Sequence, residues 1–336
     1  MREQLFKTRM TELLGIRHPI LCGGLMWLAD GRYVAAACNA GAIGFITALS
    51  FPDPEEFREQ IRLCRSLVGD KPFGINLSVS RRPGVNERIR KHIDVACEER
   101  VPVVETSGSS PEEILPRLKE AGSKVIHKVP HLKYARSVAR QPIDGIIIVG
   151  GEAGGHPGVL LTSTMVQAGM AADELTLPWA IGGGIGAGRQ LAAALAMGAD
   201  AVLLGTRILA SREIWAHEDY KKRLVAGDGL DSVLRMQIFQ DTHRVMRNDS
   251  SEAVAQLEAL KVRNFESYRP HVEGSVARRA YETGDTRTGM LDYGQSVAYI
   301  RGIESVEEII DSFIDDANAA QARLQSRLQS TYRRQP

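Results

Sequence analysis

One imidazole stands apart from the other titratable side chains of this sequence. His156 lies in Gly150-Gly151-Glu152-Ala153-Gly154-Gly155-His156-Pro157-Gly158, directly after the apolar run Gly145-Ile146-Ile147-Ile148-Val149. Glycines at that density stop the chain from continuing as strand or helix. The histidine is therefore carried on a loop at the C-terminal end of a buried strand, the edge where parallel α/β folds bind ligands. An imidazole there exchanges protons near neutral pH, and general acid/base work is the chemistry it suits. So glycine-rich a loop is not explained by packing, and a bare turn needs no histidine. His18, His92, His131, His217, His243 and His271 stand among charged or Pro residues without mutual spacing, and read as surface or capping residues.

Two more glycine clusters follow apolar runs. Ile181-Gly182-Gly183-Gly184-Ile185-Gly186-Ala187-Gly188 opens a helix, and Gly205-Thr206-Arg207 ends the next run. Backbone N–H groups without a nearby Cβ can approach phosphate oxygens, and a helix N-terminus favours the anion. Gly182-x-Gly184-x-x-Ala187 fits a loose dinucleotide fingerprint, but it falls on the seventh run and no acidic residue ends the next one. Glycine loops after strands seven and eight are instead the usual phosphate site of a (β/α)8 barrel.

Lys128 ends the fifth run beside His127; the two point to opposite faces of a strand. A lysine at the mouth could stabilise an anionic ring system or simply snorkel to solvent. Asn76, in Gly74-Ile75-Asn76-Leu77, is polar inside an apolar strand and needs a partner, which a ligand or the backbone could supply. No Ser/His/Asp order, HExxH or Walker loop competes with these residues.

The elements that must position them repeat regularly. Eight apolar runs precede residue 206: Ile20–Gly23, Ile43–Ile46, Phe73–Leu77, Val103–Glu105, Val125–Lys128, Ile146–Val149, Trp179–Gly182 and Ala201–Leu204. Helical segments separate them near 31–40, 54–67, 85–99, 112–121, 132–140, 163–174 and 187–197. The alternation predicts a (β/α)8 TIM barrel over 1–212, with an open doubly wound sheet as the alternative. A mainly helical, charged segment without comparable β-rich runs, 213–300, is expected to cover the mouth. Residues 301–336 form an amphipathic helix returning to the barrel.

Composition narrows the function. The 336 residues carry 42 basic and 41 acidic side chains, a balance that gives no field for nucleic acid or an anionic membrane. No apolar run approaches the ~20 residues that span a bilayer, and the N-terminus lacks a signal-type apolar segment. Cys22, Cys38, Cys64 and Cys97 form no CxxC pair and have no metal-ligand spacing. A cytoplasmic, metal-free protein with reduced thiols and a small-molecule substrate is expected, with a homodimer left open.

With these residues assembled, the chain resembles the nitronate monooxygenase (2-nitropropane dioxygenase) family and its relatives, the NADH:quinone reductases and enoyl-acyl-carrier-protein reductases. The likeness runs from Pro19 to about Gln295. It rests on Pro19-Ile20-x-x-Gly23-Gly24, Gly74-x-Asn76-Leu77, Val125-Ile126-His127-Lys128, Gly151-Glu152-Ala153-Gly154-Gly155-His156-Pro157-Gly158, Gly183-Gly184, Gly205-Thr206-Arg207 and Gly294-Gln295. The resemblance implies noncovalent FMN, with Gly183, Gly184, Gly205 and Thr206 at its phosphate. Gly23, Gly24, Leu25, Asn76, Lys128, Gly150 and Gly151 would surround its ring and ribityl chain. His156 would be the catalytic residue. The implied activity is oxidation of alkyl nitronates or nitroalkanes with O2. The alternative is an NAD(P)H:quinone or enoyl reductase using the same FMN and His156, and Thr242-His243-Arg244-Val245-Met246-Arg247-Asn248 is closer to the quinone reductase branch. Cys22 stands where family members commonly have Gln, placing a smaller, more apolar thiol near the expected ring.

Overall fold

Each of the eight predicted apolar runs forms a strand, and the first strand pairs with the last. The computed structural model describes residues 4–80 and 85–328. After a short helix α1 (Arg9–Leu14), the units are β1 (Ile20–Cys22) with α2 (Gly31–Asn39), β2 (Ile43–Thr47) with α3 (Pro54–Val68), and β3 (Gly74–Val79) with α4 (Val85–Glu98). They continue with β4 (Val103–Gly108) and α5 (Leu115–Glu120), β5 (Lys124–Val129) and α6 (Leu132–Val138), β6 (Gly145–Val149) and α7 (Thr164–Ala172). β7 (Trp179–Gly182) with α8 (Gly188–Ala196) and β8 (Ala201–Leu204) complete the series. All pairs are parallel and in chain order, and Ile20–Cys22 pair with Val202–Leu204. The sheet is thus a closed barrel, and the open doubly wound alternative is excluded.

The strands carry buried Ile and Val on both faces because helices cover the outside and side chains fill the inside. Local signals start the helices: Asp30 and Asp53 accept from the first free amides of α2 and α3, and Pro54 occupies the first turn of α3. α1 covers the N-terminal end. Its Arg9 pairs with Asp200 at 2.7 Å, and Asp200 also accepts from the Trp179 amide at 3.1 Å.

β8 is followed by a long insertion before the eighth barrel helix, α13 (Val306–Arg327). The insertion contains α9 (Glu218–Val225), the antiparallel ribbon β9 (Ser232–Arg235) and β10 (His243–Met246), α10 (Asp249–Ala259), α11 (Arg269–Val272) and α12 (Gly274–Thr283). Beside its helices the segment holds this short ribbon, which no β-rich apolar run announces: of β9 only Val233 is buried. It has a small core of its own around Val233, Met236, Val245, Val254, Tyr268 and Met290. Among the described residues no helix is long and apolar enough to cross a membrane.

α13 lies against α8 and α2. A Cβ on Gly188 would sit 1.8 Å from the Phe313 carbonyl oxygen, so this glycine permits the α8–α13 contact. Gly188→Ala is expected to destabilise the protein by about 1–3 kcal/mol, read from the urea midpoint; an unchanged midpoint would contradict the contact.

His127 and Lys128 diverge as their positions in β5 require. His127 is buried on the helix side, its Nδ1 2.8 Å from Thr106 Oγ1. Burial pulls its imidazole down to about 4, helped by the charge of Lys128. Between that value and the ordinary 6.5 the unfolded chain binds a proton that the folded chain refuses. Stability is therefore complete above 6.5 and is lost as pH falls towards 4, by up to about 3 kcal/mol. In His127→Gln this loss should flatten, and equal acid sensitivity of the two proteins in urea titrations would refute the assignment.

Candidate active site

The loops at the C-terminal ends of the strands enclose a cavity of about 530 Å³. Gly23, Gly24, Leu25, Asn76, Lys128, His156, Gly183, Gly184, Gly205 and Thr206 all border it. Gly150 and Gly151 do not: they lie beneath the loop, against Thr164 and Leu161.

The cavity floor is built by adjacent strands. Asn76 and Glu105 are register partners across β3 and β4, and Asn76 Nδ2 donates to Glu105 Oε1 at 3.0 Å. Lys128 reaches from β5 to the same carboxylate oxygen, forming an ion pair whose acid is fully buried. Glu105 does not border the cavity but sits behind it, holding the two residues that do, and it is absent from the expected site residues. Its signal was an acidic side chain inside Val103-Val104-Glu105-Thr106, where a carboxylate must be paired. Glu105 Oε2 and Thr47 Oγ1 have no hydrogen-bond partner among the described residues, and Thr47 borders the cavity. A Cβ on Gly24 would come within 2.7 Å of Asn76 Cβ and 3.0 Å of Thr47 Oγ1, so the glycine keeps this floor open.

At the other end, the β7–α8 loop turns through Gly183 and Gly184 at φ of 102° and 69°. Gln190 stitches that loop: its Oε1 accepts from the Gly186 and Ala187 amides at 2.7 and 3.0 Å, and its Nε2 donates to the Gly184 carbonyl at 3.0 Å. Thr206 Oγ1 accepts from the Gly294 amide at 2.9 Å, tying the insertion to the β8 loop. The space beside Gly205 is open to 4 Å around an added Cβ. Two adjacent loops of small residues at a helix N-terminus make a cradle with phosphate-binding chemistry.

The glycines around His156 have a different cause from the one expected. A Cβ on Gly150 would lie 2.1 Å from Thr164 Oγ1, on Gly151 2.7 Å from the Leu161 carbonyl, and on Gly154 2.6 Å from the Gly294 amide. Packing therefore does account for them, and the glycine density alone is no sign of a ligand. Glu152 caps α7, accepting from the Thr164 amide at 3.0 Å and from its hydroxyl at 2.9 Å. Arg244 of β10 holds the loop from above. Its backbone exchanges bonds of 2.7 and 3.0 Å with Gly155, and its Nε donates to the Gly151 carbonyl at 3.0 Å. Burial lowers the pKa of the Arg244 guanidinium.

His156 itself projects from this clamp at 58% exposure, with Nε2 3.8 Å from Asp241 Oδ1. Its ring stacks on His243 with centroids 4.2 Å apart and planes at 18°. His243 Nε2 donates to Asp292 Oδ1 at 2.6 Å. His243 is thus not a surface residue, because β10 pairs with the His156 loop and aligns the two rings. His18 and His92 are also buried, whereas His131 and His217 do cap α6 and α9.

Cys22 needs a further correction. It is fully buried and does not border the cavity; its thiol faces α2, where burial and then the neighbouring Cys38 push its pKa up. The thiol lines no ligand surface here, and it is Gly23 that does. Among the described residues no group of three or more His, Cys, Asp or Glu side chains could hold a metal ion.

A closed (β/α)8 barrel with glycine loops after its last two strands, a lysine paired with a buried carboxylate beneath the cavity and a histidine at its mouth has the layout of a barrel enzyme with its site at the C-terminal face of the strands. The chain belongs to the nitronate monooxygenase family, whose model matches residues 7–316, and it is an oxidoreductase. It is similar to two curated relatives named (3aS,4S,5R,7aS)-5-hydroxy-7a-methyl-1-oxo-octahydro-1H-indene-4-carboxyl-CoA dehydrogenase. The one from Mycobacterium tuberculosis is 30% identical and the one from Rhodococcus jostii 28%, each over 93% of this chain and 96% of its own. Among solved structures, FabK from Thermotoga maritima matches with a TM-score of 0.87 and 32% identity, over 96% of this chain and 100% of its own.

Proposed function

We propose that the protein binds FMN in the 530 Å³ cavity and oxidises a carbon acid, a substrate whose C–H bond is weakened by a neighbouring carbonyl or nitro group, with His156 moving the proton. What carries this reading is one arrangement: the glycine cradle at one end of the cavity, the Lys128–Glu105–Asn76 floor, and His156 at the mouth.

The residues present fit FMN. Gly183, Gly184, Gly205 and Thr206 would hold the phosphate, and Thr47 Oγ1, without a hydrogen-bond partner among the described residues, would meet a polar edge of the ligand. Gly23, Gly24, Leu25, Asn76 and Lys128 would surround the ring and ribityl chain, while Gly150 and Gly151 would support the loop from below. FMN held by these residues would supply the electron-accepting chemistry of the reaction, with O2 or, in a reductase, NAD(P)H as the other redox partner.

This chain's own residues supply position and proton transfer. Lys128 holds positive charge at the floor, and Glu105 keeps it there. Leu25, Met26, Ile185 and Leu209 give the cavity apolar walls, which exclude water and suit a hydrocarbon skeleton. His156 takes the α-proton on its imidazole, a group whose ordinary affinity matches neutral pH.

The names of the two relatives near 30% identity favour a carboxylic thioester of CoA as the substrate, ahead of the nitronate that the motifs alone put first. An alkyl nitronate or nitroalkane is the second reading, favoured by the family description. Both substrates are carbon acids, so the role of His156 is the same. FMN titrated into the purified protein should bind stoichiometrically with quenching of its fluorescence. Protein that takes up no FMN would overturn the proposal.

A further inference from the structure

α7 is built the wrong way round for a helix on the outside of a monomeric barrel. Its buried side is small or polar, with Thr164, Gln167, Ala168 and Ala171, while Met165, Val166 and Met170 are exposed. A surface helix ordinarily does the reverse, burying its large apolar residues. Polar contacts on the inner side hold α7 in this orientation. Gln167 Oε1 accepts from the Leu132 amide at 2.9 Å, and its Nε2 donates to the Val149 and Thr162 carbonyls at 3.3 and 3.2 Å. Thr164 is tied to Glu152. The loop leading into the helix adds Val159 and Leu160, so that five large apolar side chains show between 38% and 72% of their surface.

We infer that this face, formed by Val159, Leu160, Met165, Val166 and Met170, docks a second copy of this chain, with the two α7 helices antiparallel across a two-fold axis. The inference goes beyond the reaction proposed for the cavity and does not depend on it.

Area, shape and charge favour a second copy. Monomers rarely expose a contiguous apolar patch above a few hundred Å². A stable homodimer buries about 800 Å² per partner, about two-thirds of it apolar, and the five side chains supply most of that apolar share. Gly169 falls between Met165, Val166 and Met170 by helical spacing, and a Cβ there would meet nothing within 4 Å. It leaves a notch for a side chain of the facing helix, and unbranched Met side chains adapt readily to such a fit. α7 carries no charged residue, so its partner must also be uncharged at the centre. The same face meets that condition.

Charge at the rim sets the direction. α6 and α7 lie side by side and run the same way, since His131 reaches Thr162 near their starts and Arg136 pairs with Glu174 near their ends, at 3.0 and 2.6 Å. Exposed Lys133 stands at the starting end, and exposed Asp173 follows the last turn of α7. An antiparallel two-fold contact brings Lys133 of each copy to Asp173 of the other. An anionic membrane would instead be repelled by Asp173 and Glu174.

Sedimentation velocity of the purified full-length protein at micromolar concentration is the test, and it should show a species of twice the chain mass. Met165→Glu combined with Val166→Glu should weaken the dimer on the order of 10²-fold, with the far-UV circular dichroism unchanged. Lys133→Asp, a rim substitution that leaves the apolar face intact, should weaken it about tenfold. Adding Asp173→Lys to Lys133→Asp should restore the dimer, because exchanging both charges preserves the antiparallel pairing. A monomeric wild type would overturn the inference, and cosedimentation of that monomer with phosphatidylcholine and phosphatidylglycerol vesicles would assign the face to a membrane. A dimer indifferent to the two glutamates would also overturn it, placing the interface elsewhere, and failure of the charge exchange to restore the dimer would overturn the antiparallel arrangement.

Discussion

His156→Asn should lower turnover by ~10²-fold or more while leaving FMN bound. Asparagine keeps a polar planar group of similar reach, but it cannot take or return a proton near neutral pH. The substitution should also be mild for the fold. His156 is more than half exposed, and the loop beneath it is held by Arg244, Glu152 and the close-packed glycines rather than by the imidazole. The separation of effects is therefore diagnostic: the visible flavin spectrum and the urea midpoint stay near wild type and the steady-state rate falls. A variant with wild-type turnover would remove His156 from the chemistry.

Lys128→Met should damage stability and cofactor binding together. Glu105 is fully buried and Lys128 is its counter-ion. Removing the ammonium leaves a carboxylate inside the barrel with one donor among the described residues, Asn76 Nδ2. Breaking a buried pair from one side costs about 3–5 kcal/mol, chiefly through the stranded charge. Lys128→Met combined with Glu105→Leu, which removes both charges, should recover most of that stability and none of the FMN affinity, because the positive charge at the ring remains absent. Urea denaturation and FMN titration of the single and double variants measure the two effects separately. A single variant as stable as wild type would show that Glu105 does not depend on Lys128.

The barrel was legible because its signals are local and repeated. Each buried strand is an Ile/Val run, several helices open on Asp or Pro, and glycines such as Gly41, Gly122 and Gly198 end helices at positive φ just before the next strand. The place of the glycine loops was legible for the same reason, since they follow directly on β7 and β8 and border the cavity. What escaped were contacts between residues far apart in the chain. His243 opens the second strand of the insertion's short ribbon, and only pairing of Arg244 with Gly155 brings it onto His156, 87 positions earlier in the chain. Glu105 was visible as a residue but not as a partner, because its meaning depends on the β3–β4–β5 register that puts Asn76 and Lys128 on either side. Cys22 misled in the opposite direction. Its position in the motif suggested the ligand, yet the alternation of β1 turns its side chain to α2 and leaves Gly23 facing the cavity. The glycines at 150, 151 and 154 answer to the packing of α7 and the insertion, which no reading of one loop could reveal.

Oxidation of a carbon acid in this cavity requires His156 and FMN to act together on one substrate, as proposed above. Anaerobic mixing of the FMN-loaded protein with cyclohexanecarboxyl-CoA, and separately with an alkyl nitronate, while following flavin absorbance, tests it most directly. The account predicts bleaching of the flavin by at least one of these carbon acids, and loss of that bleaching in His156→Asn. A flavin that stays oxidised with both compounds, yet is bleached at once by NADH, would contradict it and assign the protein to the reductases.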